Sequence, residues 1–274
     1  YFSMLSDPDM GNYANDYVGT DSARRGGYIY EKVDNTWGAE PPALMMRYAG
    51  MPYSYIPGVS YTDVNVNNVY DEGIDMPLDS AAVHNGPLHG IKYIRGAKAI
   101  DNFSVTHYMS SHPTHGDPST PMELRNYQLG GRDKTGVMLN PCDWAFGNGS
   151  TLANCGSLNP SYIYSGSPET ETGWLNSYGV DQRLVVSKGP FRMEKDKPVD
   201  ITVAYLVGQG NSAAGSVAAM REVADFTQQI YNSNFVNFTT GIGEVPPASP
   251  ETFSLLQNYP NPFNSATVIR YRLA

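Results

Sequence analysis

The stretch Phe103-Ser-Val-Thr-His-Tyr-Met109 has the length and composition of a β-strand, because aromatic and β-branched residues dominate it. Segments of the same kind recur along the chain at 27–30, 43–48, 90–94, 183–187 and 199–207. Clusters of Gly, Pro and Asn separate them, as expected for turns between short strands. This spacing predicts an all-β fold whose body is a β-sandwich or jelly roll.

A single late helix interrupts the strand pattern near residues 216–232. Apolar and aromatic residues recur there at steps of three and four, with Val217, Met220, Ala224, Thr227 and Tyr231 on one face and Val223, Phe226 and Ile230 beside it. Ser216 is the predicted N-cap. We expect this helix to pack on a sheet.

Composition limits the classes of protein that the chain can represent. Its 274 residues suit one large domain, or one domain plus an appendage. The apolar fraction of 41% and the 20 tyrosines provide enough material for a core, so disorder is disfavoured for most of the chain. With 18 basic and 27 acidic residues the net charge is −9, and no basic run occurs, which disfavours nucleic acid and anionic membranes as partners.

Neither terminus carries a recognisable membrane or signal segment. Tyr1 is not preceded by an initiator Met, a basic region or an apolar region, so we expect a processed or truncated N-terminus. Nowhere do 18 consecutive apolar residues occur, and the sequence therefore predicts no transmembrane helix.

The C-terminal part of the chain has a different composition. Residues 241–252 are rich in Pro and lack periodicity, which is typical of an extended linker between a body at 1–240 and a tail at 253–274. The tail contains the block Asn258-Tyr259-Pro260-Asn261-Pro262-Phe263-Asn264, followed by Thr267, Ile269 and Tyr271 at alternating positions. This block closely resembles the opening of the type A C-terminal sorting domain carried by substrates of the bacterial type IX secretion system.

The resemblance implies passage across the outer membrane, so that the secretion machinery is a partner and the protein resides outside the cell or on its outer surface. Sorting domains of that family continue for several further strands, so only the first strands are expected here. Phrases in the body, such as Ser6-Asp-Pro-Asp-Met-Gly-Asn12 and Gly189-Pro-Phe191, are similar to a body found in uncharacterised secreted surface proteins that carry this domain. That second resemblance implies a β-rich surface architecture and no catalytic role.

An acidic loop near the N-terminus is the best candidate for a metal site. Six residues within fifteen positions carry the oxygen ligands that calcium prefers, namely Asp7, Asp9, Asn12, Asn15, Asp16 and Asp21. The order does not fit an EF-hand, because Gly11 and Asn12 stand at the fifth and sixth positions and Val18 at the twelfth. An irregular calcium loop and a set of metal-free Asx-turns are both compatible with the sequence.

Other polar clusters have weaker patterns. Asp71, Glu72, Asp75 and Asp79 form either a second metal site or a solvated loop. His107, His112 and His115 could provide three imidazoles for a transition metal, but their spacing fits no helical ligand pair and ordinary loop histidines are the alternative.

Cys142 and Cys155 are the only cysteines. An isolated pair in an exported protein is expected to form a disulfide, which at this loop size could contribute about 3 kcal/mol. Two buried free thiols are the alternative.

Signatures of catalysis are not found in the sequence. There is no GxSxG, no phosphate-binding or dinucleotide-binding glycine motif and no CxxCH, so no nucleotide, haem or flavin is implied. Asp143, Glu169 and Glu171 lie near Trp144 and Trp174, which leaves a sugar-stacking groove or ordinary core tryptophans as interpretations.

Two functional hypotheses follow. In the first, the chain is a non-catalytic structural or adhesive protein of the cell surface that associates with itself or with other surface proteins, for example as a subunit of an extracellular assembly or filament. In the second, it is a calcium-supported carbohydrate-binding module or an enzyme that acts on polysaccharides.

Overall fold

Antiparallel strands make up most of the secondary structure, as the predicted all-β class requires. The computed structural model describes residues 1–236, 254–255, 259–264, 266–268 and 271–272. The strands between Tyr1 and Val236 are β1 (Phe2–Ser6), β2 (Tyr17–Asp21), β3 (Gly26–Tyr30), β4 (Ala43–Tyr48), β5 (Tyr53–Tyr55), β6 (Tyr61–Thr62), β7 (Met76–Pro77), β8 (Ser80–His84), β9 (Ile91–Arg95), β10 (Ala97–Ala99), β11 (Phe103–Met109), β12 (Gln182–Lys188) and β13 (Val203–Gly208). The helices are α1 (Pro121–Leu129) and α2 (Ala213–Asn232).

Two sheets form the sandwich that positions the candidate site. One has four strands in the order β13-β4-β3-β2, and the other has three in the order β1-β12-β11. Ile29 and Met46 from the first sheet share a buried core with Val105, Leu184 and Val186 of the second. At Gly27 the approach is so close that a Cβ atom would lie 2.8 Å from Val105 and 3.0 Å from Leu184. The predicted β-sandwich is therefore confirmed.

Helix α2 covers the other face of the four-stranded sheet. Its residues Val217, Met220 and Ala224 pack with Met45 and Leu206 in a second core, which confirms most of the predicted buried face. Val223 and Phe226 are instead exposed. The helix also begins three residues earlier than predicted, because the cap is Ser212, whose Oγ accepts the Gly215 N–H at 3.0 Å.

The predicted N-cap, Ser216, is wrong for a clear physical reason. It lies within α2, is fully buried, and its Oγ accepts a hydrogen bond from the Gly210 N–H at 3.0 Å. Ser216 thus stabilises the loop that precedes the helix through this hydrogen bond, while Ser212 has the extended backbone of an N-cap.

Several other bounds differ from the predicted ones. The strand predicted at 199–207 begins only at Val203, since the Thr202 carbonyl accepts hydrogen bonds from the Ala49 and Gly50 N–H groups outside the regular ladder. Helix α1 is not indicated by the pattern of apolar residues.

A smaller core holds Tyr53, Ala81, Val83 and Ala97 from the strands β5, β8 and β10.

The chain divides into two compact units, Tyr1–Val236 and Asn237–Ala274. In the second unit β14 (Ser254–Leu255) pairs with β17 (Tyr271–Arg272), and β15 (Tyr259–Asn264) pairs with β16 (Ala266–Val268). Strand β15 contains six of the seven residues of the block that resembles a sorting domain, whereas Asn258 lies outside the described residues. The predicted linker at 241–252 also lies outside them.

Candidate functional site

The acidic N-terminal loop connects β1 to β2, and its carboxylates fall into an outer and an inner group. Asp7 and Asp9 lie at the surface together with Asp181, and one carboxylate oxygen from each lies within 4.8 Å of the others. Arg183 forms ion pairs with two members of this outer group, because its Nε lies 3.0 Å from the Asp7 carboxylate and its guanidinium 2.8 Å from that of Asp181.

The inner group has no such ion pair. The antiparallel ladder of β2 and β3 ends at the pair of Tyr17 and Tyr30, and Asp16 and Glu31 are the residues just beyond this pair. Both are 0% exposed, and none of their four carboxylate oxygens has a hydrogen-bond partner in the described part of the chain. Like charges placed opposite one another on adjacent strands repel, and burial without a partner adds to that cost.

Two further oxygens belong to the same region. The Asn15 amide donates to the Val33 carbonyl at 2.8 Å, while its Oδ1 is buried without a partner. Asp34 accepts the Thr36 and Trp37 N–H groups through Oδ1, at 2.6 and 3.0 Å, and its Oδ2 is also buried without a partner. The loop closes tightly over Asp34, because a Cβ atom on Gly11 would lie 2.5–2.7 Å from all three carboxyl atoms of that residue.

The pKa values in the inner group reflect this environment. Burial, reinforced by the charge of Glu31, raises the pKa of Asp16 to about 8. Burial and then the charge of Asp34 raise the pKa of Glu31 to about 7. For Asp34 itself burial acts in the same direction, but the hydrogen bonds from Thr36 and Trp37 outweigh it and lower the pKa.

The remaining residues of the predicted calcium loop have other roles. Asn12 Oδ1 accepts the Ala14 N–H at 3.2 Å and forms an Asx-turn. Asp21 lies at the opposite end of β2 from Asp16 and is paired with Arg24 at 3.0 Å and with Arg221 at 2.9 Å. The sequence pattern therefore pointed to the correct loop, but it missed Glu31 and Asp34, which reach the site from across the strand pair.

The second acidic cluster consists largely of hydrogen-bonded turns. Asp71 accepts the amide N–H groups of Asn65 and Asn67 at 2.8 and 2.7 Å. Asp75 accepts the backbone N–H groups of Val64 and Asp71, both at 2.8 Å. Glu72 and Asp79 are exposed.

For the three histidines the sequence leaves a transition-metal site or ordinary positions open, and in the structure each has its own surroundings. His107 is buried, with its Nδ1 2.6 Å from Gln182 Oε1 and its Nε2 3.3 Å from the Tyr164 hydroxyl. His112 Nδ1 accepts the His115 N–H at 3.0 Å within a turn. Within the described residues, Asp7, Asp9 and Asp181 are the one set of three His, Cys, Asp or Glu side chains close enough to share an ion.

The sequence leaves Trp144 and Trp174 as part of a sugar-stacking groove or as core residues, and in the structure they belong to the core. Trp144 and Trp174 are both buried, and the Trp144 indole donates to the Tyr164 hydroxyl at 2.8 Å. Of the nearby carboxylates, Asp143 accepts the Asn140 amide at 2.5 Å and Glu169 is paired with Arg221. Glu171 is the single carboxylate that lines a groove of about 400 Å³ bounded by Tyr30, Lys32 and Asn176.

Cys142 and Cys155 form a disulfide with a Cα–Cα distance of 5.1 Å. The disulfide closes a loop, and two residues of this loop, Trp144 and Phe146, belong to or pack against the core.

None of the helices in the described residues is both long and apolar enough to cross a membrane. The chain matches no protein-family model, no curated protein and no solved structure.

Proposed function

We propose that this chain is a secreted structural or adhesive protein of the outer cell surface, which associates with further copies of itself in an extracellular assembly. The C-terminal block that resembles a type IX sorting domain supports export. One feature of the body carries the proposal of self-association, namely the open edge of the four-stranded sheet.

Strand β13 is the last strand of that sheet and presents apolar side chains to solvent. Val203, Tyr205 and Val207 are 40%, 54% and 56% exposed. They pair directly with Tyr48, Met46 and Leu44, which face the core between the two sheets. The three residues thus extend the inner face of the sandwich beyond its core, and we call this surface the shelf.

The shelf is exposed because the opposite sheet does not extend over it. The edge strand of that sheet, β1, contacts β4, where the Tyr48 hydroxyl donates to the Phe2 carbonyl or the Val186 carbonyl, at 3.0 and 2.9 Å. No strand of the described residues lies beyond β1 in its sheet. The four-stranded sheet therefore overhangs the three-stranded sheet by one strand.

A second copy of the chain is the occupant that fits the shelf. Residues 203–208 contain no charged side chain and no Pro, which are the usual devices that protect an edge strand from pairing. An uncharged apolar surface can face its own copy across a two-fold axis without placing like charges together. Two overhanging edges would then cover each other and bury both sets of apolar side chains.

The test is the size of the full chain in solution. We expect light scattering after size-exclusion chromatography to give dimers or larger particles at micromolar concentration, and Tyr205→Lys to shift the protein to monomers. The matched control is Tyr178→Lys, since Tyr178 is 58% exposed but lies in a loop away from the shelf. A wild-type chain that stays monomeric, or a Tyr205→Lys variant that assembles like wild type, would contradict self-association through the shelf.

A further inference from the structure

We propose that Asp16, Glu31 and Asn15 form a calcium site beneath the N-terminal loop, distinct from the surface group of Asp7, Asp9 and Asp181. This inference does not depend on self-association. It rests on the arrangement of buried oxygen atoms around the end of the β2–β3 pair.

The first argument is that these carboxylates lack a side-chain partner among the described residues. Asp16 and Glu31 are fully buried, lie just beyond the last pair of the β2–β3 ladder and have four oxygens between them that no side chain pairs. Burial of two like charges at close range is unfavourable unless a cation or a proton compensates for it. A buried carboxylate pair without a side-chain donor is therefore suited to a bound cation.

The second argument is the chemistry of the donors. Asn15 adds a buried amide oxygen beside Asp16. All of these donors are oxygen atoms, which favours calcium or magnesium over zinc or copper. Calcium accepts irregular geometry with six to eight ligands, including bidentate carboxylates, whereas magnesium requires a nearly regular octahedron and retains water. A buried set of mostly carboxylate oxygens on two strands and a loop fits calcium better.

The third argument is the contrast with the surface group. Asp7 and Asp181 are already paired with Arg183, so that a cation there would compete with a guanidinium. No Lys or Arg side chain is paired with Asp16, Glu31 or Asp34 among the described residues. A cation bound by Asp16 and Glu31 would therefore not have to displace a basic side chain.

The experiment uses the full chain after dialysis against EGTA. We expect CaCl₂ to bind in a calorimetric titration and to raise the unfolding midpoint by about 5–10 °C at roughly 100 times the dissociation constant. Tb³⁺ should show luminescence sensitised by Tyr17 and Tyr30, which flank the carboxylates in sequence, and Ca²⁺ should quench it by displacement.

Asp16→Asn and Glu31→Gln should each abolish the Ca²⁺-dependent shift. In EGTA both variants should also melt at a higher temperature than wild type, because they no longer bury two carboxylates face to face. Asp9→Asn is the matched control and should retain the Ca²⁺ response, since Asp9 belongs to the surface group.

Three results would overturn the proposal. They are a wild-type chain that shows no Ca²⁺ binding, a loss of binding in Asp9→Asn with retention in Asp16→Asn, and Mg²⁺ affinity equal to that for Ca²⁺. If Asp16→Asn does not fold, the response of the wild type to EGTA and the Glu31→Gln variant still decide the question.

Discussion

His107 occupies the centre of a hydrogen-bonded chain inside the sandwich. The Trp144 indole donates to Tyr164, whose hydroxyl lies 3.3 Å from His107 Nε2. On the other side Gln182 Oε1 lies 2.6 Å from His107 Nδ1, and Gln182 Nε2 donates to the Asp16 carbonyl at 2.5 Å. Since the Gln182 oxygen can only accept, Nδ1 carries the proton, and Nε2 accepts from Tyr164. The imidazole is therefore neutral, with both nitrogens satisfied.

We predict that this histidine makes the fold sensitive to acid. Burial lowers the pKa of His107 to about 3 from a usual value of 6.5. The unfolded chain thus binds a proton that the folded chain excludes, so the contribution is complete above pH 6.5 and is lost as the pH falls toward 3. The free energy of unfolding should decrease by about 1.4 kcal/mol per pH unit in that window from this residue.

Urea denaturation between pH 4 and 7 measures the effect. His107→Gln should have a shallower dependence on pH than wild type, even if it is less stable at pH 7. His89→Gln, at an exposed turn, serves as the control and should keep the wild-type slope. Equal slopes for wild type and His107→Gln would show that protonation of His107 does not limit stability in acid.

Residue-level prediction from sequence succeeded where neighbours in sequence are also neighbours in space. Asp16 and Asn15 were identified because acidic and amide residues crowd into one loop. Glu31 could not be found in this way, since its place opposite Asp16 depends on the register of β2 and β3. Likewise, the spacing of the three histidines leaves a metal site and ordinary positions open, whereas His107 is buried because β11 lies within the sandwich.

At the scale of elements, the contact between α2 and β13 has almost no free space. A Cβ atom on Gly208 would overlap with the backbone N and Cα of Met220 and with the preceding carbonyl carbon of Ala219. Backbone atoms within a helix cannot move individually, so any side chain here must push α2 away from the sheet. The core that holds Met45, Leu206 and Val217 would then lose its packing.

We predict that Gly208→Ala destabilises the body by about 3 kcal/mol, as overpacking does when the opposing atoms cannot yield. The measurement is the urea midpoint at constant m-value. Gly156→Ala provides the control, because a Cβ there meets no atom within 4 Å and its φ angle is not positive. If the two variants are equally stable, the helix and the sheet are not packed as closely as described.

Helix α1 has a capping signature in its sequence but no apolar periodicity. Thr120-Pro-Met-Glu123 has the signature of a helix start, with Pro at the first turn and Glu three residues after the cap. Thr120 indeed accepts the Glu123 N–H at 3.2 Å, while the Glu123 carboxylate accepts the Ser119 N–H at 2.6 Å. The pattern that follows has only Tyr127 as a buried residue, so periodicity gave no signal for this helix.

The sandwich formed by residues 1–236 combines a wider and a narrower sheet, and this difference is not visible in the sequence. In β13 the apolar residues occupy both faces, with Val203, Tyr205 and Val207 on one face and Leu206 on the other. Such a pattern would suit a strand that is buried on both faces. Their exposure results from the number of strands in the opposite sheet, which depends on long-range pairing of β1 with β12. The all-β class and the two-sheet body could thus be predicted from the sequence. The open edge could not, because it depends on the order of the strands in the two sheets.

The charge of the whole molecule gives the last prediction. Each copy has a net charge of −9, so two copies repel each other at long range, whereas the shelf itself has no charged residue. Screening shortens the Debye length from about 30 Å at 0.01 M salt to about 8 Å at 0.15 M. Added NaCl should therefore strengthen self-association through the shelf, and sedimentation velocity at several salt concentrations measures this. Tyr205→Lys should remain monomeric throughout. Dissociation of wild-type particles by salt would instead indicate contacts between opposite charges and would exclude the apolar shelf as the main interface.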